Sequence, residues 1–423
     1  MKQRGFMLLM LIGVVVFVLA AASPAPAAVS VNGYVLTLIK WEDKIAGHEL
    51  PKLGIGSTPR DGVPELDNNQ FTLDSRQTRF WIGWTDDVQG IKMSGRIEMD
   101  FNSTDGNALT SNSRHPRLRI AYARADHPGG FFLLAGQYQS IVASTDIAFL
   151  GKYAIDEFNS AVGSNAGVRQ PQVRGGWTTK MPGGGLTLEA AVEKNSVANL
   201  GSALVDESQG EGQETPFFAA RVIFDHPIVR LQGAVGMGKA TVTLGNPAGT
   251  PAGTPPAGSQ ESETAWIVNG DVEIKPIPML TFFAHVYTLN GLGRFLGGAG
   301  DFPSVGLTAL NKLELIKATG GYGGVSFQLT PNTAINAFAG YEKADEEASI
   351  GFTGNFVGDG QCLAGVAIGG NCWEKHTSYH VVLRQRFWQR WLFGLQYNHY
   401  KAEAFGGAKG DFNMIESAIF YFF

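Results

Sequence analysis

Long apolar segments are almost absent from this sequence. A protein that crosses a membrane with several helices needs several runs of about 20 apolar residues, and such a run occurs only at the N-terminus, between Met7 and Ala22. Charged residues are also sparse, at 17%, yet the apolar content of 44% is too high for a disordered chain. The net charge of −5 gives no reason to expect nucleic-acid binding. These shortages exclude helical membrane proteins, disordered chains and basic nucleic-acid-binding proteins.

The N-terminal run has the features of a secretory signal peptide. Lys2 and Arg4 precede the apolar stretch, and Ala25 and Ala27 provide a small-residue cleavage site. A membrane anchor would need a longer span, and no cysteine follows the cleavage site to carry a lipid. We therefore expect residues 1–27 to be a cleaved signal peptide and residues 28–423 to form the mature protein, with a net charge of −7.

Cysteine is scarce as well. Cys362 and Cys372 are the only two cysteines, and they lie close together in a glycine-rich stretch. In an exported protein this spacing predicts a disulfide that closes a loop, whereas a metal site would need further ligands nearby. The sequence suggests no cofactor and no metal.

What the sequence has in abundance is alternation. From residue 91 to residue 102, apolar residues or glycine alternate without exception with polar or charged residues. Successive side chains of a β-strand point to opposite faces, so this segment predicts a strand with one face in an apolar environment and the other in water. A helix would distribute the charges around its circumference.

Similar segments recur along the chain, and we count sixteen. Their connections alternate between short turns and long loops, which is typical of transmembrane β-barrels with short periplasmic turns and long extracellular loops. In lipid an open sheet edge would leave backbone groups unpaired, so the sheet must close on itself. The prediction is an all-β fold, a sixteen-stranded antiparallel transmembrane β-barrel spanning residues 28–423.

The C-terminal segment carries a further signature. Ile415, Ile419, Tyr421 and Phe423 share one face of the last strand, interrupted only by Ser417. This segment resembles the terminal strand of bacterial outer-membrane barrel proteins, which ends in Phe and is read by the barrel-insertion machinery. An ordinary C-terminal strand with interfacial aromatic residues is the alternative reading.

The whole mature chain resembles sixteen-stranded Gram-negative outer-membrane porins. In residues 74–80, 90–101 and 116–122 it is similar to the DcaP-like trimeric porins. The resemblance implies a homotrimer in the cell outer membrane, in contact with outer-membrane lipid and lipopolysaccharide, that passes small hydrophilic solutes. Aromatic girdles are expected near the strand ends, from Trp41, Trp81, Trp84, Trp177, Phe387, Trp388, Trp391, Tyr421 and Phe423.

Strand parity predicts which side chains line the lumen. If Leu118, Ile120 and Tyr122 face lipid, Arg117 and Arg119 face inward, beside the inward positions of the neighbouring strands. Arg76 has the wrong parity unless a bulge intervenes or the residue sits above the membrane. The predicted basic wall and its extension on later strands consist of Arg79, Lys92, Arg96, Arg117, Arg119 and Arg174, with Arg221, Arg230 and Arg384 as further inward candidates.

The long connection at residues 140–169 is the third extracellular loop of this count. Its apolar residues are unusual for a solvated loop, and in porins this loop folds into the barrel and sets the constriction. If the resemblance to porins extends to this loop, Asp146, Asp156 and Glu157 would lie opposite the arginine wall and create an electric field across the lumen. The alternative is that these carboxylates are solvated on a surface loop or pair with arginine for structural reasons.

The sequence thus predicts a non-enzymatic porin for passive diffusion, with a preference for anionic or carboxylate solutes because arginine matches a carboxylate. A structural or adhesive barrel and a barrel lipid hydrolase are the alternatives.

The glycine-rich stretch before Lys239 resembles a phosphate-binding loop, but Ala240 stands where that motif requires Ser or Thr. His376 and His380 are about 13 Å apart on one strand face, too far to share a metal ion.

Overall fold

A computed structural model describes residues 28–44, 68–102, 106–107, 113–143, 152–155, 162–163, 169–195, 215–243, 260–292, 305–307, 313–344, 373–404 and 409–423. Several sequence predictions lie outside these residues. They concern the signal peptide at residues 1–27, the Cys362–Cys372 disulfide and the loop carboxylates Asp146, Asp156 and Glu157. Within the described chain, no helix is long and apolar enough to cross a membrane.

The described chain forms sixteen long antiparallel strands, as predicted. In chain order they are β1 Ala28–Glu42, β2 in two segments Gln70–Asp74 and Arg79–Val88, β3 Ile91–Asp100, β4 Arg117–Asp126, β5 Phe131–Gln139, β6 Arg169–Met181, β7 Gly184–Glu193, β8 Phe217–Asp225, β9 Val229–Thr243, β10 Gln260–Ile277, β11 Leu280–Asn290, β12 Lys317–Thr330, β13 Thr333–Ala344, β14 Trp373–Phe387, β15 Trp391–Ala404 and β16 Lys409–Phe422. Two small hairpins, Gly106–Asn107 with Ser113–Arg114 and Val305–Leu307 with Leu313–Leu315, belong to long connections.

The sheet closes between its first and last strands. Each strand pairs with its sequence neighbours, and β16 pairs with β1 from Tyr34 opposite Phe422 to Glu42 opposite Met414. The backbone N–H of Gly33 donates to the Phe423 carbonyl at 3.2 Å, and that of Phe423 donates back at 3.1 Å. The closed barrel therefore has no open edge between β1 and β16, which is the condition for spanning lipid.

Strand β2 is interrupted at residues 75–78. The inward position of Arg76 required a departure from regular strand alternation, and this interruption is that departure. The Asp74 carboxylate accepts a hydrogen bond from the backbone N–H of Arg76 at 2.7 Å, a local turn that competes with strand pairing. Thr78 replaces the lost strand partner, because its hydroxyl accepts from the Leu36 backbone N–H at 3.1 Å. Because the strand is interrupted, Arg76 can lie buried beside Asp74 although regular alternation would place its side chain on the outer face.

The outer face of the barrel is apolar and the inner face largely polar. On β16, Ile415, Ile419 and Phe423 are exposed on the outside, as the alternation predicted, whereas Glu416 and Ala418 are buried inside. Aromatic side chains meet near the short turns, where the Trp391 and Tyr421 ring centroids are 5.0 Å apart. Trp81 does not join the girdle. It faces the lumen, where the Arg96 guanidinium lies 4.1 Å from its ring centroid.

Long and short connections alternate along the chain with one exception. The connection between β15 and β16 consists only of residues 405–408, because β15 ends at Ala404 and β16 begins at Lys409. At the opposite end of the barrel the turns are tight. Gln89 and Gly90 have φ angles of 55° and 81° in the turn from β2 to β3, the left-handed pair that a two-residue hairpin favours.

Candidate functional site

The inner wall formed by β2, β3 and β4 holds the predicted arginines in a lattice of ion pairs. Arg119 is 1% exposed and lies 3.0 Å from Glu98 and 2.7 Å from Asp100. Arg117 binds Asp100 through two hydrogen bonds of 2.8 and 2.9 Å. Glu98 also pairs with Arg79 and Arg96. The predicted basic wall is therefore partly compensated, because four arginines share two carboxylates.

A bulge on β4 changes the predicted facing of the residues that follow Arg119. The register shifts between Glu98 and Met99, so Arg119 occupies an extra position opposite β3. Leu118 is exposed on the outside, as predicted, but Ile120 is 8% exposed and faces inward together with Tyr122. The prediction that Ile120 and Tyr122 face lipid is wrong, because one inserted residue reverses the facing of every later side chain.

The remaining predicted basic residues occupy different environments. Arg174 is buried and donates to Gln172 at 2.9 Å, while Arg221 is buried against Glu189. Arg230 pairs with Asp225 at 2.8 Å. Lys92 is exposed at the short-turn end of β3 and does not join the buried lattice.

The loop that follows β5 enters the barrel. Ile141, Val142 and Ala143 are fully buried. The Ile141 backbone N–H donates to Glu193 on β7 at 2.9 Å, and Asn269 on β10 donates to the Val142 carbonyl at 2.5 Å. The loop therefore starts along the inner wall rather than above the barrel rim.

Residues 152–155 of the same loop lie against the far side of the lumen, on β10 to β15. The Lys152 ammonium pairs with Glu273, and the Tyr153 hydroxyl donates to the same carboxylate at 2.7 Å. The Tyr153 ring stacks on Phe283 at a centroid distance of 4.0 Å. Burial lowers the pKa of Lys152 and raises that of Tyr153, and the Glu273 carboxylate favours the protonated form of both groups. This segment is fixed to the wall by charge and by ring packing together.

Backbone atoms of the loop are also bound by wall side chains. Asn336 on β13 donates to the Tyr153 carbonyl at 2.7 Å, and Arg384 on β14 donates to the Lys152 carbonyl. Gln396 on β15 accepts from the Ile155 backbone N–H at 3.0 Å. Three successive strands thus satisfy the polar groups that an irregular segment exposes inside a barrel.

Two inward-facing glycines let the loop approach the wall closely. A Cβ on Gly340 would lie 2.0 Å from the Val162 carbonyl oxygen, and one on Gly394 would lie 2.2 Å from the Ile155 side chain. The Val162 backbone N–H donates to the Ser378 hydroxyl at 2.9 Å. Glycine at these positions is required by contact with the loop.

A cavity of about 310 Å³ lies between residues 154–155 and the inner wall toward the short turns. Three guanidinium-bearing residues line it, namely Arg79, Arg384 and Arg386. Among the described residues that line it, none carries a carboxylate. The rest of its lining consists of Gln77, Ala154 and the apolar or aromatic residues Tyr34, Leu36, Ile155, Leu392, Phe420 and Phe422. This cavity, which we call the arginine pocket, can bind an anionic group beside an apolar surface.

Sequence reasoning identified Arg384 as inward-facing but missed its role and that of Glu273, Asn336 and Gln396. Their inward parity was readable, because each alternates with outward apolar residues. Their contact with a loop more than a hundred residues away in sequence could not be predicted from the alternation.

His376 and His380 also face inward, bound by Glu342 at 2.9 Å and by Asn398 at 2.6 Å. No group of three or more metal-ligating side chains occurs in the described part of the chain.

Comparison with solved structures places this architecture among outer-membrane channels. The outer membrane channel DcaP of Acinetobacter baumannii superposes with a TM-score of 0.70 at 18% identity, over 95% of this chain and 99% of that one. The trimer form of OmpT, an outer membrane protein of Vibrio cholerae, gives 0.54 at 11% identity, over 94% and 100% of the two chains.

An anion-selective porin from Comamonas acidovorans gives a TM-score of 0.54 at 12% identity, over 94% and 100% of the two chains. No protein-family model and no curated protein sequence matches the chain. The predicted resemblance is confirmed at the level of fold: this chain has the closed sixteen-stranded architecture of the outer-membrane porins.

Proposed function

We propose that this protein is a porin of the outer membrane, through which small hydrophilic solutes diffuse passively. The fold, with an apolar outer face and a polar inner face, supports this assignment. A sixteen-stranded barrel encloses an aqueous lumen. The loop segment at residues 152–155 occupies one side of that lumen, so residues 140–169 act as the constriction loop in this proposal.

The lumen prefers anionic solutes, above all those that carry a carboxylate. The arginine pocket is the observation that carries this part of the proposal, because Arg384 and Arg386 line it together with Arg79, which pairs with Glu98, and its described lining contains no carboxylate. The planar fork of arginine matches a carboxylate in two hydrogen bonds. The apolar side of the pocket accommodates the carbon skeleton of the solute.

The protein acts as a homotrimer and is exported by a cleaved signal peptide. The trimer form of the Vibrio cholerae neighbour supports the first point, and residues 1–27 support the second. Native mass spectrometry of protein purified from outer membranes should give the mass of three chains that each begin near Ala28. A monomer, or a chain that retains Met1, would contradict the respective statement.

Reconstitution into planar bilayers tests the channel function. We expect stepwise increases in conductance at low protein concentration, without added cofactor. A folded barrel that inserts but never conducts would overturn the porin proposal and leave a structural or adhesive role. Hydrolysis of added phospholipid by the same preparation would indicate an enzyme instead.

A further inference from the structure

Three histidines are buried on the part of the inner wall that receives the constriction loop. His285, His376 and His380 are 0%, 1% and 2% exposed, respectively. The Nδ1 atom of His285 lies 2.9 Å from the Asp271 carboxylate, and that of His376 lies 2.9 Å from the Glu342 carboxylate. A proton taken up by either of these two rings is therefore compensated by an adjacent negative charge.

His380 has an amide where the other two histidines have a carboxylate. Its Nδ1 lies 2.6 Å from Oδ1 of Asn398, which also accepts a hydrogen bond from the Gln396 side chain at 2.6 Å. Because an amide oxygen only accepts, Nδ1 of His380 is the protonated nitrogen and donates. The other nitrogen, Nε2, is buried and has no hydrogen-bond partner among the described residues. A proton added to Nε2 would place an uncompensated charge inside the wall.

The residues that pack against the His380 ring are uncharged in the described part of the chain. The Phe338 ring on β13 stacks on it at a centroid distance of 4.5 Å, and the Tyr400 ring on β15 meets it edge-on at 5.5 Å. On β16, Met414 lies opposite Asn398. Inward-facing charged groups begin four residues away on β13 and β14 and two residues beyond Met414 on β16. With the described charged group of the loop, they are Glu342, His376, Arg384, Glu416 and Lys152.

Hydrogen bonds connect His380 with the constriction loop. Asn398 accepts from both His380 and Gln396, and thereby orients the Gln396 amide. The Oε1 atom of that amide accepts from the Ile155 backbone N–H at 3.0 Å. A change at the His380 ring therefore reaches the loop backbone through two side chains.

Ring contacts provide a second connection to the same loop. The Phe338 ring, which stacks on His380, lies 6.2 Å from the Phe283 ring. The Phe283 ring in turn carries the ring of Tyr153 at a centroid distance of 4.0 Å. Water that enters to solvate a charged His380 would disturb this packing as well as the hydrogen bonds.

We propose that His380 is a positioning residue that makes the seating of the constriction loop depend on pH, so that acid releases residues 152–155 from the wall. The inference rests on the porin function proposed above and adds a regulation of the same lumen. The seated loop holds His380 neutral, whereas release of the loop exposes the ring to water, where imidazole takes up a proton near pH 6.5.

The sign of the effect follows from the proton count. The released state binds one proton more than the seated state at low pH, so the seated state is fully favoured above about pH 6.5. Below that pH the ratio of seated to released loop should fall by up to about tenfold for each pH unit. A released loop moves into the lumen, and the conductance decreases.

Planar-bilayer recordings at neutral pH and at about pH 4.5, two units below the imidazole value, test the proposal. The parent should spend a larger fraction of time at reduced conductance in acid. His380→Asn keeps an amide donor near Asn398 but has no ionisable ring, and Asn398→Asp gives His380 the carboxylate that His376 already has. Both variants should lose the acid response. The control His226→Gln, in the turn from β8 to β9, should respond like the parent.

Hydrogen exchange at the Ile155 amide, followed by mass spectrometry, reports on the loop itself. Its protection relative to the intrinsic exchange rate should fall in acid in the parent and stay constant in Asn398→Asp. Unchanged conductance and unchanged protection of the parent in acid would overturn the inference, as would an acid response of Asn398→Asp equal to that of the parent. A parent that conducts at no pH contradicts the porin function, and the exchange measurement still decides the role of His380.

Discussion

At the scale of single residues, the lumen wall is governed by the cost of burying charge. Arg119 and Asp100 are almost inaccessible to solvent, and each depends on the other and on its neighbours for compensation. A buried ion deprived of its partner costs several kcal/mol. The arginines of β2 to β4 are therefore part of the barrel's stability as well as its electrostatics.

The first prediction concerns Asp100. Asp100→Asn leaves Arg117 and Arg119 without one of their carboxylates and should destabilise the barrel by about 3–5 kcal/mol. The matched control is Asp126→Asn, whose pair with Arg124 is partly exposed and should cost at most about 1 kcal/mol. Equilibrium unfolding by guanidinium in lipid vesicles gives both values. Equal midpoints for the two variants would show that burial does not control the strength of these pairs.

The facing of single residues on β2 to β4 could be predicted from the sequence only as far as the bulge on β4. Parity and the structure agree that Arg79 and Arg96 lie on the inner face, because β2 and β3 pair without a shift there. It failed beyond Arg119, where a bulge that leaves no mark in the alternation reverses Ile120 and Tyr122. Bulges are set by local backbone geometry and cross-strand partners, which the pattern of one strand does not contain.

At the scale of elements, the strands follow from the sequence and the inward path of the loop does not. The alternation predicts sixteen strands and the described chain has sixteen, since alternation and turn residues are local signals. The contacts of residues 152–155 depend on Asn336 and Gln396, which lie on strands far away in the chain. The apolar residues of the loop predicted a buried position, but they did not predict which strands of the wall the loop contacts.

The second prediction concerns the contact between loop and wall. Gly340→Ala would place a Cβ 2.0 Å from the Val162 carbonyl oxygen, so the loop must move away from the wall and into the lumen. We expect a lower single-channel conductance in planar bilayers. Gly270→Ala is the control, because the atom nearest to its added Cβ, the Gln232 carbonyl oxygen, would lie 3.8 Å away. An unchanged conductance for Gly340→Ala would mean that this loop does not limit the passage.

At the scale of the whole molecule, our proposal makes the distribution of charge the property that decides which solutes pass. The four arginines of the lattice on β2 to β4 share two carboxylates, and Arg79 of the arginine pocket is one of them. Arg384 and Arg386 lie in the same pocket, whose described lining contains no carboxylate. The pocket lies beside the loop segment that narrows the lumen. Selectivity is therefore expected to depend on the pocket more than on the number of arginines in the wall.

The third prediction follows from that asymmetry. Arg384→Gln/Arg386→Gln removes two positive charges from the arginine pocket and should shift the zero-current potential most of the way toward that of an unselective pore. Arg390→Gln removes a charge from the exposed turn after β14 and should leave the potential unchanged. Block of the ionic current by a small aromatic carboxylate should weaken in the double variant only. An equal response of both variants would place the selective charges elsewhere.

The zero-current potential of the unmodified protein across a gradient of potassium chloride tests the central claim most directly. An open lumen with Arg384 and Arg386 beside the loop segment at residues 154–155 predicts a conducting channel with a potential of the sign given by chloride permeation. The potential should decline as ionic strength rises, because salt screens the charges. A cation-selective potential, or a folded and inserted barrel without conductance, would contradict the account.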